Sequence, residues 1–387
     1  MNKKLNILFV IPSFVIGGTT SSLEAFLSLL DKSIVTPAVF ALNQTGPRKE
    51  SFERYHLLPE NLWLSTKIVN GGCVKSFVHR IITLLVSAFS RININLSPLY
   101  AHIGGRLLGF EKYDIVVAFV ESLARPVAYY PIKRKFIYIR SEFDRHIKLC
   151  DFEKEREALL RYDKIIGVSE FAQNSIIKVL PELKERTIAI PNVIDSKAII
   201  ERSKGETDDT LFNNDRFTIL SIGRIDPVKQ FELIPEIAKS IVNCIGNEFR
   251  WYILGGGDDR MVKMVKDKIH QFGLDEEVYC LGEKKNIYPY LKRSNLVVHT
   301  SKSETFSRVV NDAKILGIPV VVNNYDCAPE FLKDGEEGVI APIPEMGNVI
   351  SRMIDDNDYY GHFKAVLSGF YYNNETILNR FYSICEI

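Results

Sequence analysis

The sequence has no long apolar run. None of its hydrophobic stretches approaches the roughly 20 residues that a bilayer-spanning helix needs, so a spanning protein is not expected. Cysteine is sparse and scattered: Cys73, Cys150, Cys244, Cys280, Cys327 and Cys385 form no CxxC pair. That argues against a structural zinc and against a disulfide scaffold, and it points to a reducing cytoplasm. Met1-Asn2-Lys3-Lys4 precedes a short apolar run ending at Pro12. The run lacks a signal-peptide cleavage pattern and reads as a first strand. Gly255-Gly256-Gly257 falls short of a full GxGxxG, so a nicotinamide fingerprint is not supported. Net charge is almost absent, at +1, and no DxD or His/Asp cluster is placed to supply a metal.

What is present is an ordinary soluble composition, 46% apolar and 25% charged, over 387 residues, enough for two domains. The charge is unevenly placed. Residues 1–191 carry 26 Lys+Arg against 18 Asp+Glu, and residues 192–387 carry 23 against 30. Such a split suits an N-terminal half that meets an anionic membrane or phosphorylated acceptor, or two halves that attract each other. Val74–Ser90 reads as an amphipathic helix with Lys75, His79 and Arg80 on one side; with Arg91 and Arg106 it could lie on an anionic membrane surface. A packed surface helix shows the same stripe.

Strand-like runs alternate with helical periods twice along the chain. Leu5–Ile11, Ile34–Leu42, Tyr113–Val120, Lys135–Ile139 and Lys164–Ser169 belong to the first series. Phe217–Ile222, Phe249–Leu254, Val278–Gly282, Leu296–Thr300 and Ile318–Asn323 belong to the second. Near-continuous apolar strands are those of parallel sheets covered on both faces, so the chain reads as two α/β units joined near residue 193. Residues 43–73 read as irregular, 201–216 as a mobile polar connection and Tyr359–Ile387 as a helical tail.

The stretch Ser301–Lys314, SKSETFSRVVNDAK, links a strand to a helix through a small polar turn. The first N–H groups of such a helix are unpaired and suit a phosphate. Glu304 is expected at or just before the helix start, with Asp312 eight residues later. On one helix the two would be turned by roughly 80° and displaced by roughly 12 Å. They cannot share one atom, but they could touch opposite ends of an elongated ligand whose anionic middle rests on the helix start. A nucleotide sugar has that shape. A glutamate there is equally an ordinary partner of the helix dipole. Gly223-Arg224-Ile225-Asp226-Pro227-Val228-Lys229-Gln230 follows the Phe217–Ile222 strand. Its Arg224 and Lys229 could form a cationic clamp for a diphosphate, or be surface charge.

ETFSRVVND is similar to the E-x7-E signature of family 4 (group 1) retaining glycosyltransferases, with Asp312 in place of the second Glu. The 223–230 segment resembles the family's G-R-x-x-x-x-K-G, with Gln230 in place of Gly. The resemblance implies a GT-B fold: two Rossmann-like doubly wound domains facing across a cleft, with a C-terminal helix crossing back to the first. The domains would be 1–193 and 194–365, with the tail at 366–387. It implies a hexosyl-type sugar moved from a nucleotide sugar, most often UDP-linked, to a glycan or polyprenyl-linked acceptor in cell-envelope polysaccharide synthesis, at the inner face of the membrane. No cofactor, metal or nucleic acid is implied. Arg224 and Lys229 would hold the phosphates with backbone groups of Phe306, Ser307 and Arg308. Glu304 would bind sugar hydroxyls and Asp312 the ribose. Gly17, Gly18 and Gly223 match the family's glycine loops. Lys285 and Asn286 would border the base. Arg140 stands where many members carry a His.

Two rival classes remain open. A GT-B UDP-sugar 2-epimerase would bind the same donor. A nucleotide-sugar-binding module without activity would fit the departures at Arg140, Gln230 and Asp312.

Overall fold

A computed structural model describes residues 4–65, 72–91, 96–207, 212 and 215–387. The chain forms two units. One comprises Met1–Ile194 and Asn374–Ile387, the other Asp195–Asn373.

The first unit is built on a seven-stranded, wholly parallel sheet. Its strands are β1 (Leu5–Ile11), β2 (Val35–Ala41), β3 (His56–Leu57), β4 (Ile115–Ala118), β5 (Arg134–Ile139), β6 (Lys164–Gly167) and β7 (Thr187–Ala189). The spatial order is β3-β2-β1-β4-β5-β6-β7. Its central strands are buried on both faces, which is why LNILFVI and IVVA read as unbroken apolar runs. The stretch read as irregular holds a four-residue helix, Lys49–Phe52, and the two-residue β3; each is too short to impose a period on the sequence. Positions 66–71 of that stretch lie outside the described residues, as do 208–211 and 213–214 of the connection expected at 201–216, whose residues 201–203 instead end the Ser196–Ser203 helix.

The stretch expected as a helical tail, Tyr359–Ile387, is helical in two pieces, Asn357–Ser368 and Asn374–Cys385. Asn374 accepts from the Ile194 amide (2.9 Å) and donates to the Ile194 carbonyl (2.8 Å). The side chain therefore bonds where backbone would, and it sets the start of the last helix. That helix delivers Phe381 against Phe26 at 4.9 Å between ring centres. Arg134 ties its end by donating to the Ile384 and Cys385 carbonyls.

The second unit has a six-stranded parallel sheet of β8 (Phe217–Ile222), β9 (Phe249–Leu254), β10 (Val278–Gly282), β11 (Leu296–His299), β12 (Val320–Val322) and β13 (Gly338–Ile340). The order β10-β9-β8-β11-β12-β13 reverses direction between β8 and β11. In open α/β sheets the crevice at such a reversal, outside the carboxyl ends of the strands, is where ligands bind. Trp251 is buried in the core, and its indole nitrogen donates to the Ser221 hydroxyl (3.0 Å), which donates to the Val298 carbonyl (2.7 Å). This chain of bonds fixes β8, β9 and β11 against one another immediately beneath the reversal.

Gln230 adopts φ 53° and ψ 37°. A left-handed backbone costs a residue with a side chain roughly 1–2 kcal/mol, and glycine would relieve it while loosening the unfolded chain. Gln230→Gly is therefore expected to stabilise the protein by about 0.5–1 kcal/mol in urea unfolding. A lowered midpoint would show that the glutamine side chain contributes more than its backbone strain costs.

Candidate functional site

The loops that follow β8 and β11 flank the reversal point. After β8, Gly223 takes φ +159°, and its amide continues the ladder to the Leu254 carbonyl. The turn then closes on Asp226. Its carboxylate accepts from the amides of Val228 (2.9 Å) and Lys229 (3.1 Å) and from Arg224 Nε (3.0 Å). Burial pushes the Asp226 carboxyl up. The Lys229 and Val228 amides and the Arg224 guanidinium outweigh it, so the group sits below its ordinary range.

The loop after β11 is stitched to this turn. Thr300 donates to the Lys229 carbonyl (2.7 Å), and the Lys302 amide donates to the Val228 carbonyl (2.9 Å). These bonds bring Lys229 Nζ to 2.5 Å from Glu304 Oε1, across 75 residues of sequence. The Cys327 thiol donates to the Glu304 carbonyl. His299 ends β11 beneath the pair, with Nε2 3.5 Å from Glu304 Oε1. The same nitrogen lies 3.4 Å from the hydroxyls of Ser301 and Ser307, and Nδ1 lies 3.4 Å from Tyr325. Burial, then the nearby Lys229 charge, hold His299 well below its ordinary pKa, so it is a neutral hydrogen-bonding ring.

The helix begins at Arg308, four residues after Glu304 rather than beside it. The bonds to Val228 and Cys327 hold residues 302–304 out of helical geometry. Glu304 and Asp312 are therefore not two points on one helix, and the helical spacing does not set their separation. Ser307 is the N-cap but makes no capping bond with its hydroxyl, which faces His299 instead. Farther along, buried Lys314 donates to the Phe331 carbonyl and to Glu337 (2.8 Å), which fixes the far end of the helix.

Asp312 is buried and takes a hydrogen bond from Arg308 Nε at 3.0 Å. Burial raises its carboxyl above the ordinary range, against the pull of Arg308 and Tyr288. Burial also works against the Arg308 charge, but Asp312 and Tyr288 prevail and hold the guanidinium firmly protonated. Arg308 Nη1 is buried and has no hydrogen-bond partner among the described residues. Arg202 stacks over the Tyr288 ring at 4.6 Å, so helix 196–203 also supports this group.

The structure thus brings Lys229, Glu304, Ser307 and His299 together, with Arg308 next after Ser307 and Asp312 one helical turn beyond it. Arg224 is mostly exposed and paired to Asp226. Lys285 is exposed. Asn286 donates to the Arg202 carbonyl (2.8 Å) and accepts from the first amide of the Tyr288–Arg293 helix, that of Tyr288 (3.3 Å), one residue before the Ile287 N-cap. In the first unit Arg140 donates to the Phe119 carbonyl (2.7 Å) and to Asn192 (2.8 Å), and its guanidinium lies 4.2 Å from the centre of the Phe119 ring. Gly17 and Gly18 precede and open the Gly18–Leu29 helix, at the carboxyl end of β1; a Cβ at either would meet nothing within 4 Å. His299, Tyr288, Tyr325 and Cys327 were not expected. A histidine closing an apolar strand was the one signal that could have singled out His299.

Residues 204–364 match the family described as glycosyl transferases group 1. The uncharacterized glycosyltransferase MJ1059 of Methanocaldococcus jannaschii is 27% identical over 213 residues, 54% of this chain and 49% of the relative. The amylovoran biosynthesis glycosyltransferase AmsD of Erwinia amylovora is 26% identical over 135 residues, 35% of this chain and 37% of the relative. The chain thus spans about half the length of the first and less of the second. Among solved structures, Anabaena Alr3699/HepE in complex with UDP and glucose superposes with a TM-score of 0.72 at 18% identity, covering 99% of each chain. Two Rossmann-like parallel sheets with such neighbours define a GT-B fold, and its second unit matches the group 1 glycosyl transferase model.

Proposed function

We propose that the protein is a retaining glycosyltransferase that moves a hexosyl-type sugar from a UDP-linked donor to a glycan or polyprenyl-linked acceptor in cell-envelope polysaccharide synthesis. The observation that carries this reading is the convergence of Lys229, Glu304 and the uncapped start of the Arg308–Ile315 helix at the sheet's reversal point. In this reading Lys229 keeps one N–H on Glu304 and turns another to the diphosphate, since an ammonium has three donors. The first helical amides and Arg308 take the remaining charge. Arg308 Nη1 supplies a donor without a partner among the described residues, and an unsatisfied buried donor costs about 1–3 kcal/mol. Glu304 receives the sugar hydroxyls.

As the bond from the anomeric carbon to the phosphate oxygen breaks, negative charge grows on the diphosphate. Fixed cations and amides stabilise it, commonly the largest catalytic contribution. The acceptor oxygen attacks from the same face and its proton passes to the leaving phosphate, so no enzyme base is needed. The AmsD and HepE likenesses support the polysaccharide setting and the UDP donor. The Cys73–Arg91 helix exposes Val74, Phe77, Leu84 and Leu85, carries Lys75 and Arg80 and contains no acidic residue. That pattern supports peripheral association with an anionic membrane. Among the described residues, no helix is long and apolar enough to cross one.

A thermal-shift series with UDP, GDP and their sugar conjugates tests the donor. UDP at a hundred times its Kd is expected to stabilise the protein by about 2.7 kcal/mol; no shift with any nucleotide overturns the reading. UDP binding with no transfer to any glycan acceptor would leave a binding module. Asp312→Asn is expected to weaken UDP binding about tenfold, because the buried carboxylate both orients Arg308 and is the candidate ribose contact. Unchanged affinity by calorimetry would remove both roles.

A further inference from the structure

Away from these loops, three side chains of the first unit meet without an evident shared purpose. His146 lies in the Phe143–Ile147 helix, Cys150 follows four residues later, and Glu155 comes from the Phe152–Leu159 helix. One ligand atom from each lies within 4.8 Å of the others. His146 Nε2 is 3.3 Å from Glu155 Oε1 and 3.6 Å from Cys150 Sγ. Glu155 is only 3% exposed, and its second oxygen stands 3.8 Å from Arg125 Nε.

One atom, Nε2, serves both contacts. Carrying a proton, it shares that proton between the Glu155 carboxylate and the Cys150 sulfur; carrying a lone pair, it accepts only from the thiol. A cation bound to all three atoms would instead give each its own bond. Two of the three ligand–ligand distances fit a zinc site, and the third, thiol to carboxylate and within 4.8 Å, would close to about 3.6 Å on binding. With Zn–N near 2.0–2.1 Å, Zn–O near 2.0–2.2 Å, Zn–S near 2.3 Å and tetrahedral angles, the ligand–ligand edges come to about 3.3 Å for N···O and about 3.5 Å for S···N.

We propose that His146 Nε2, Cys150 Sγ and Glu155 Oε1 form a binding site for a single thiophilic divalent cation, of which zinc is the type. A borderline-soft ion accepts this mixed N, S and O set, whereas magnesium and calcium require oxygen. Binding releases the thiol proton, and the thiolate and carboxylate together neutralise the ion. Three protein ligands leave a fourth position for water. The ion joins the Phe143–Ile147 and Phe152–Leu159 helices and so steadies the segment that follows Arg140 at the end of β5. It takes no part in sugar transfer, and the site stands whether or not the proposed activity does.

Cobalt(II) titration of the metal-stripped full-length protein is the test, because a thiolate bound to cobalt gives a near-ultraviolet charge-transfer band. One equivalent per chain is expected to develop the band, and zinc is expected to displace it and to raise the melting midpoint. Cys150→Ser should abolish the band. His146→Ala and Glu155→Gln should each weaken affinity about tenfold or more. Cys73→Ser and Cys244→Ser, which alter exposed thiols, should leave it unchanged. The absence of any thiolate band in the wild-type protein overturns the proposal, as does a band that survives Cys150→Ser or vanishes with Cys73→Ser. Circular dichroism of each variant separates lost binding from lost folding.

Discussion

Lys229→Ala is expected to cut sugar transfer at least about a hundredfold while leaving the circular dichroism spectrum unchanged. One preorganised donor to developing charge is commonly worth 10²–10³ in rate. Lys229 is moreover placed by backbone bonds, not by its own side chain: its amide is held by Asp226 and its carbonyl by Thr300. Alanine keeps both bonds, so the loop should survive. What changes is Glu304, which loses its counter-ion and is left beside a neutral imidazole at 3.5 Å. Arg224→Ala is expected to cost less, because that guanidinium is mostly exposed and Asp226 retains its two amide donors. Near-normal turnover in both folded variants would remove the proposed cationic grip on the diphosphate.

The second large effect concerns stability. Gly255 sits at the end of β9 with φ +144°, and a Cβ there would lie 1.8 Å from the Gly223 carbonyl oxygen. The obstruction is backbone and cannot rotate away. A strained φ and an overpacked contact each cost about 1–3 kcal/mol. Gly255→Ala is thus expected to destabilise the second unit by about 3 kcal/mol or more in urea unfolding, and to weaken nucleotide binding by shifting the turn that carries Lys229. The neighbouring Gly256→Ala supplies the contrast. Its Cβ would meet the Glu283 side chain, which can swing aside, so a change below about 1 kcal/mol is expected. Equal losses at the two positions would mean that close approach of the β8 and β9 turns is not the cause.

Much of the fold was legible because its strands are doubly buried. Phe217–Ile222, Phe249–Leu254 and Val278–Gly282 have the bounds that their apolar runs and flanking glycines suggest. The helix start after Glu304 was not legible. It is set by Val228 and Cys327, which are distant in sequence, and local spacing does not register such contacts. Arg308 and Asp312 stand at i and i+4, so their pairing could be read from spacing. The burial of Asp312 could not, because Tyr288 comes from another helix. Arg140 tells the same story, since Asn192 lies 52 residues away. Residues that bond along the chain declare themselves; those fixed by a remote partner do not.

The Asn374 clasp on Ile194 has a consequence for synthesis. The first unit's core includes Phe381, which stacks on Phe9 of the earliest strand and meets Phe26 of the earliest helix edge-on. On a translating ribosome, residues 195–373 emerge before that ring does. Although chains generally fold from the amino end as they emerge, the later unit can here reach its native state first. The earlier one waits, one aromatic short, until its last helix clears the exit tunnel.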